Sequence, residues 1–374
     1  MPVLLDIESR SRADLKRVGG RNYWAHPSTE ALCCVAYDTD SGDVSAWVPG
    51  DAPLTLAPGA WGAHNATGFD RHACARLGWA ALSPDYIDTS ELARRAGLPG
   101  KLDALGKRWL GRAKDHEGSR FTLSLSRPSR AKARLGQLPN ITPEVQARVL
   151  SYCASDVEIM AHGWPRLSEW AALEPDVCEV DRIVNDRGVA FDAPLALRLI
   201  EEIDRAADET LSRVASALGE GWHPDLVRDT VMSPAQMNDI TGLPDCTSET
   251  VALMLREGAA VHGEGVVLLC EARAAVASIA RGKLVAGLER VSPDGRLRDM
   301  HRYYGAHTGR WSGSGMQLQN LPRPADRFED WTDADICRRA DEVLAGGHCD
   351  AEEVDLLLRA CLTGPLAVCD FSGV

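Results

Sequence analysis

Apolar positions along this chain follow two regimes. In the first, short apolar runs are broken at every second residue or closed by turn residues. Val3-Leu4-Leu5-Asp6-Ile7-Glu8 predicts a strand, and since strand side chains alternate, Asp6 and Glu8 point to one face and Leu5 and Ile7 to the other. Ala31–Tyr37 and Val44–Val48 predict two further strands joined by a polar turn at 38–43, an antiparallel meander. Trp61–Asp70 predicts a short strand that runs into a polar turn and then a helix. Thr142-Pro143 predicts the start of another helix, with Thr as N-cap and Pro at the first position. Beyond Leu173-Glu174-Pro175-Asp176, a plausible linker, the second regime is helical, with long patterns at 193–219 and 249–290 and a shorter helix capped by Ser233.

One stretch fits neither regime. Arg302–Pro324 packs arginines, two tyrosines, a tryptophan, a Gln/Asn cluster and glycines at 305, 309, 313 and 315 where a core element would carry aliphatic residues. Such a composition suits a contact surface, with a backbone able to turn sharply and with donors and acceptors for sugar, phosphate and groove edges. A plain polar, glycine-rich surface loop has the same composition.

A chain of 374 residues holds two or three domains, and 45% hydrophobic with 25% charged residues is ordinary for a globular protein. No run approaches eighteen apolar residues, and the N-terminus lacks the pattern of a signal peptide, so the expected setting is the cytoplasm of a bacterial host, away from membranes. The eleven cysteines are scattered without Cys-x-x-Cys spacing, which predicts reduced, mostly buried thiols. A net charge of -13 argues against a general polyanion-coating protein, yet it is compatible with a nucleic-acid enzyme whose carboxylates hold metal ions.

Three features carry candidate chemistry. Alone, the Asp6-x-Glu8 pair also suits a solvated strand end. Tyr152 and Asp156, four residues apart on the predicted helix, share one face and place a phenol hydroxyl beside a carboxylate. Arg120, Arg127, Arg130, Lys132 and Arg134, without a nearby acid, read either as solvated surface or as a contact that tracks a nucleic-acid strand.

Thr308-Gly309-Arg310-Trp311-Ser312 followed by Gln319-Asn320-Leu321-Pro322 resembles the signature of family A, DNA polymerase I-like enzymes, most closely the bacteriophage type. Ahead of it, Asp6, Glu8, Asp70 and Tyr152 with Asp156 resemble the three motifs of the DEDD 3′–5′ exonucleases of the tyrosine-bearing subclass. Lys114–Gly118 is similar to a connecting loop of phage members. One departure is visible: four residues separate Asn65 from Asp70 where the family has three, and Gly68 is expected to absorb the extra one as a bulge.

The resemblance implies an α/β, ribonuclease H-like exonuclease domain over 1–172, a mainly helical polymerase thumb over 173–300 and the start of an α+β palm over 301–374. It implies two Mg²⁺ or Mn²⁺ ions, since hydrolysis of a phosphodiester needs an activated water and a stabilised leaving oxygen, and hard cations prefer carboxylate oxygens. Asp6 would bridge the two ions, Glu8 and Asp156 would complete one, Asp70 would hold the other, and Tyr152 would orient the attacking water.

Asn65, Arg130, Lys132, Thr308, Arg310, Gln317, Gln319 and Asn320 would contact DNA, either a single-stranded 3′ end or a primer-template duplex, and Arg281 and Lys283 would face phosphates. Asp370, in Asp370-Phe371-Ser372, resembles the first metal-binding aspartate of the palm, on a strand expected to present an exposed edge. The expectation is therefore a replication protein with a 3′–5′ exonuclease and an incomplete polymerase unable to add nucleotides alone. Two other readings stay open: a non-catalytic DNA-binding half completed by a second polypeptide carrying the fingers and remaining palm, and an inert truncated fragment.

Overall fold

The computed structural model describes residues 2–54, 61–79, 86–126, 138–170, 174–218, 247–306 and 308–363. It divides into two compact units, Met1–Gly188 with Glu289–Gln317, and Val189–Leu288 with Leu318–Val374.

The first unit is built on a five-stranded mixed sheet with strand order β3-β2-β1-β4-β5. Its strands are β1 (Val3–Arg10), β2 (Glu30–Asp38), β3 (Val44–Trp47), β4 (Trp61–Ala63) and β5 (Ile87–Asp88). The expected meander is present, with β1 antiparallel to β2 and β2 to β3, while β4 and β5 add in parallel on the other side of β1. The central strand β1 is apolar along one face, through Leu5 and Ile7, whereas its other face begins with Leu4 and continues with Asp6 and Glu8. Leu5 and Ile7 enter a cluster with Tyr23, Trp24, Trp61 and Ala63, while Leu4 enters a second one with Leu32, Val35, Val149 and Met160. Burial of each such side chain contributes roughly 1.5–3 kcal/mol.

Helices cover both faces. The first cluster includes Tyr23 and Trp24 of α1 (Leu15–Ala25), kinked at Gly19 (φ 79), and Ala73 and Cys74 of α2 (Asp70–Arg76). The second involves α3 (Thr89–Arg95), α4 (Leu102–Leu110), α5 (His116–Ser126) and α6 (Pro143–Leu167). The cap expected for α6 forms, with the Thr142 hydroxyl accepting from the Val145 amide. Helix α7 (Pro175–Arg187) ends at Gly188 (φ 63).

The compact units differ from the three expected domains. Segment 289–317 belongs with the sheet unit because polar contacts hold it there. Asn22 Nδ2 donates to the Arg290 carbonyl (2.7 Å), Arg290 Nη2 to the Lys16 carbonyl (2.7 Å) and Arg298 Nε to the Asp186 carbonyl (2.7 Å).

The second unit is mainly helical. Helix Ala193–Leu218 packs against Glu264–Val276, Asp333–Leu344 and Ala351–Ala360, and strand Val189–Phe191 pairs antiparallel with Leu362–Thr363. The single pattern expected over 249–290 is four helices, Ser248–Glu257, Ala259–His262, Glu264–Val276 and Ile279–Arg290; Gly258 (φ 76) and Gly263 (φ 84) leave the helical region at the first two breaks, and Ala277 (φ -93, ψ 37) does so at the third. Arg281, expected to face phosphates, instead pairs with Asp204 at 2.8 Å and 3.1 Å. Among the described residues every cysteine is free, all but Cys337 are buried, and no helix is long and apolar enough to cross a membrane. The predicted Ser233 helix and the strand bearing Asp370 lie outside the described residues.

Candidate functional site

Asp6 and Glu8 leave β1 on the face of Leu4, towards α6. Helix α6 lies across β1 and β2, and the Cys153 thiol donates to the Asp6 carbonyl at 3.1 Å. On either side of Cys153 and one turn apart, Tyr152 and Asp156 face the carboxylates. Asp6, Glu8 and Asp156 each offer an oxygen, all within 4.8 Å of one another.

Asp70 arrives from the other side of β1. Strand β4 pairs in parallel through Leu5↔Ala63, so the turn after it crosses the end of β1 and delivers the first residue of α2 beside Asp6. In this turn Asn65 adopts the left-handed φ 76. Asn65, expected to contact DNA, lines a separate cavity of about 330 Å³ with Arg94, Asp181 and Arg302.

The electrostatics mark a cluster short of positive charge. Burial, then the Asp6 charge, holds Glu8 and Asp70 well above the usual carboxylate range, and the same two causes bring Asp156 to about 7. Asp6 is also raised by burial, against the pull of Lys114. Asp6 Oδ2, Asp70 Oδ1 and Asp156 Oδ1 are buried without a hydrogen-bond partner, a costly condition for a carboxylate.

Asp6, Glu8 and Asp156 as oxygen donors within reach of one ion, with Asp70 near Asp6 but outside that group, and three orphaned oxygens fit a hard divalent cation such as Mg²⁺ or Mn²⁺. The cation present is Lys114, whose Nζ lies 2.5 Å from Asp156 Oδ2 and 4.9 Å from the centre of the Tyr152 ring. Burial lowers its pKa, but Asp156, Tyr152 and Asp6 together outweigh this and raise it.

Sequence reasoning assigned Lys114 no role and read 114–118 as a connecting loop, whereas α5 begins at His116. A readable signal was Asp115, whose carboxylate accepts from the Glu117 (3.1 Å) and Gly118 (2.9 Å) amides in the manner of a helix cap. A Cβ on Gly118 would lie 2.7 Å from Tyr152 Cδ2, so a glycine lets α5 approach the tyrosine. Beside Glu8 and Tyr152 opens a cavity of about 360 Å³ lined by Ser9, Phe69, Thr122 and Leu123.

The Thr-Gly-Arg stretch lies on a hairpin, His301–Arg302 paired with Ser312–Gly313. Its aromatic residues are not all on display. Tyr303 is buried and donates to Glu174, its ring 5.1 Å from that of Trp311, whose Nε1 donates to Asp181 Oδ1 at 2.6 Å. Thr308, Arg310 and Gln317 are exposed. Gln319 and Asn320, exposed on the short turn Leu318–Asn320, are counted with the second unit. Arg130, Lys132 and Asp370 lie outside the described residues, while Arg120 is exposed on α5.

No protein-family model matches the chain. Among solved structures, the POL domain of Pol1 from M. smegmatis in complex with DNA primer-template and dNTP aligns with a TM-score of 0.48 at 18% identity, covering 87% of this chain and 53% of that one. Among curated proteins, the chain is 28% identical over 384 residues to a DNA polymerase of Bacillus phage SP02. That alignment takes in 94% of this chain and 54% of the relative, so the chain is similar along nearly its whole length to about half of a phage DNA polymerase.

Proposed function

We propose that the first unit is a divalent-metal 3′–5′ exonuclease acting on DNA, of ribonuclease H-like type, carried on a chain of the family A DNA polymerase kind. The observation that carries this reading is the acid set of half-buried Asp6 and Glu8 with buried Asp70 and Asp156, with three orphaned oxygens and raised pKa values. Similarity to a phage DNA polymerase over nearly the whole chain supports DNA as the substrate. The four acids would hold two ions, which when bound would supply an activated water and charge for the leaving oxygen.

The chain's own groups do the rest. Tyr152, its pKa raised by burial and by Asp156, keeps its proton at neutral pH and is a hydrogen-bond donor for orienting water or phosphate. Lys114 holds Asp156 and offsets part of the acid charge. The cavity beside Glu8 has room for a terminal nucleotide, with Phe69 and Leu123 for the base and Ser9 and Thr122 for polar contacts. By the same resemblance, Thr308, Arg310, Gln317, Gln319 and Asn320 form a contact surface for primer-template DNA, Arg130 and Lys132 a strand contact, and Asp370 a metal ligand of the polymerase palm. The comparisons lend no support to a second polypeptide.

The test is digestion of a 5′-labelled single-stranded DNA oligonucleotide with Mg²⁺ or Mn²⁺ by the chain and by its Asp6→Ala/Glu8→Ala variant. Stepwise shortening from the 3′ end is expected, with the variant slower by about a thousandfold or more. Folded protein without metal-dependent cleavage, or a variant as active as the parent, would overturn the reading.

A further inference from the structure

Asp70 sits on a helix with little means of holding itself. Helix α2 has seven residues, far fewer than a helix needs to be stable alone, and its N-cap Phe69 makes no side-chain capping bond. The preceding turn carries the left-handed Asn65. The place of Asp70 near Asp6 therefore depends on what grips this turn from outside: Asp88 accepts from the Asn65 and Thr67 amides at 3.1 Å and 2.9 Å, and Arg71 holds the end that carries Asp70.

Arg71 is the next residue, and its side chain is 1% exposed. Its Nε donates to the Thr67 carbonyl at 2.9 Å, Nη1 to Asp186 Oδ2 at 2.8 Å and Nη2 to Asp299 Oδ1 at 3.2 Å. Arg21 takes the other oxygen of Asp186 at 2.5 Å, and His72 Nε2 lies 3.6 Å from Asp299 Oδ2. Two carboxylates thus meet two guanidiniums, and the charge closes.

The acids come from places far along the chain. Asp186 stands at the end of α7, and Asp299, at φ 56, stands just before the hairpin strand His301–Arg302. The two are bound together, since Arg298 Nε donates to the Asp186 carbonyl (2.7 Å) and the His301 amide to Asn185 Oδ1 (3.0 Å). A planar guanidinium can hold two carboxylates and a carbonyl at set angles, which an ammonium cannot.

We infer that Arg71, clamped by Asp186 and Asp299, is the positioning residue that sets Asp70 in the metal site from the base of the Thr308–Arg310 hairpin. The inference rests on the nuclease reading and adds residues that touch neither metal nor DNA. Outer partners of metal ligands typically account for 10–100-fold in metal affinity or activity.

The test is calorimetric titration of the whole chain with Mn²⁺, with nuclease kcat and KM measured alongside, for the parent, Asp299→Asn, Asp186→Asn and Arg71→Lys. Leu105→Ala, a core change on the face of the sheet away from α2, is the control for general destabilisation, and circular dichroism and melting establish that each variant is folded. In the three clamp variants one Mn²⁺ affinity is expected to fall about tenfold or more with the other within about twofold, and kcat to fall at unchanged KM. Leu105→Ala should leave both affinities and kcat unchanged. Arg71→Lys, which keeps the charge but loses the fork, should fail like the others.

Folded clamp variants with parental Mn²⁺ affinities and kcat would overturn the inference, as would Arg71→Lys at parental level or an equal loss in Leu105→Ala. A parent that binds no Mn²⁺ and cleaves nothing would instead sink the nuclease reading beneath it.

Discussion

Two buried acids of the first unit, Asp70 and Asp88, behave oppositely. Asp88 and Asp70 are equally buried, at 2% exposure each. Asp88 caps α3 and accepts from the amides of Asn65, Thr67, Ser90 and Glu91 and from the Ser90 hydroxyl. Although burial works against it, Arg94 and these donors hold it below the usual carboxylate range. Asp70 has an orphaned oxygen and the Asp6 charge nearby, and it is held well above that range. Burial alone therefore separates nothing; what distinguishes a structural acid from a metal-ready one is whether the protein supplies its donors.

Breaking the structural side of this comparison should have the largest effect on folding. Asp88→Ala removes a cap and the acceptor for two turn amides, and it should cost about 3 kcal/mol, read as a lowered denaturation midpoint. Asp156→Asn, on the other side, removes a buried charge whose pairing is incomplete and should leave the metal-free protein as stable as the parent or more so. A stability loss there comparable to that of Asp88→Ala would erase the distinction.

The second effect is on pH. Asp156 is raised from 3.8 to about 7, so ionising it in the metal-free fold is unfavourable. Below about pH 4 the carboxyl is protonated in folded and unfolded chains alike and costs nothing; between about 4 and 7 the unfolded chain ionises and the folded one resists, so stability falls as pH rises. Bound metal reverses the sign, because it needs the ionised form. Mn²⁺ affinity measured between pH 5.5 and 7.5 should rise about tenfold per pH unit for each proton released. A flat profile would mean that the acids are not the ligands.

The smallest effect concerns Lys114, the resident cation. Lys114→Met removes a competitor for Asp156, so Mn²⁺ binding should tighten several-fold while the metal-free protein loses roughly 1–3 kcal/mol. Weaker Mn²⁺ binding in this variant would assign Lys114 a supporting role in the metal-bound site instead.

Several parts of this arrangement were legible in the chain. Alternation in Leu4-Leu5-Asp6-Ile7-Glu8 placed both carboxylates on one face, and Thr142-Pro143 located the start of α6 with Tyr152 and Asp156 one turn apart, since these are local periodicities. Two of the three breaks in 249–290 were also readable, as Gly258 and Gly263, but were outweighed by the apolar residues around them. Helix α1, with Gly19 and Gly20 in its middle, carries a poor local signal and is held by Tyr23 and Trp24 in the core. The assignment of 289–317 to the sheet unit rests on partners such as Asn22 and Asp186, more than a hundred residues away, and no local pattern encodes those.

By itself, then, the order of residues determined which side chains share a strand face or a helix turn, because those spacings follow from backbone geometry alone. Only the tertiary structure decided that Asp156 faces Asp6 and Glu8, that Lys114 sits between Asp156 and Tyr152, and that Arg71 holds Asp70 from Asp186 and Asp299. Charges and hydrogen bonds act through space at a few ångströms, and separation along the chain does not specify which groups come that close.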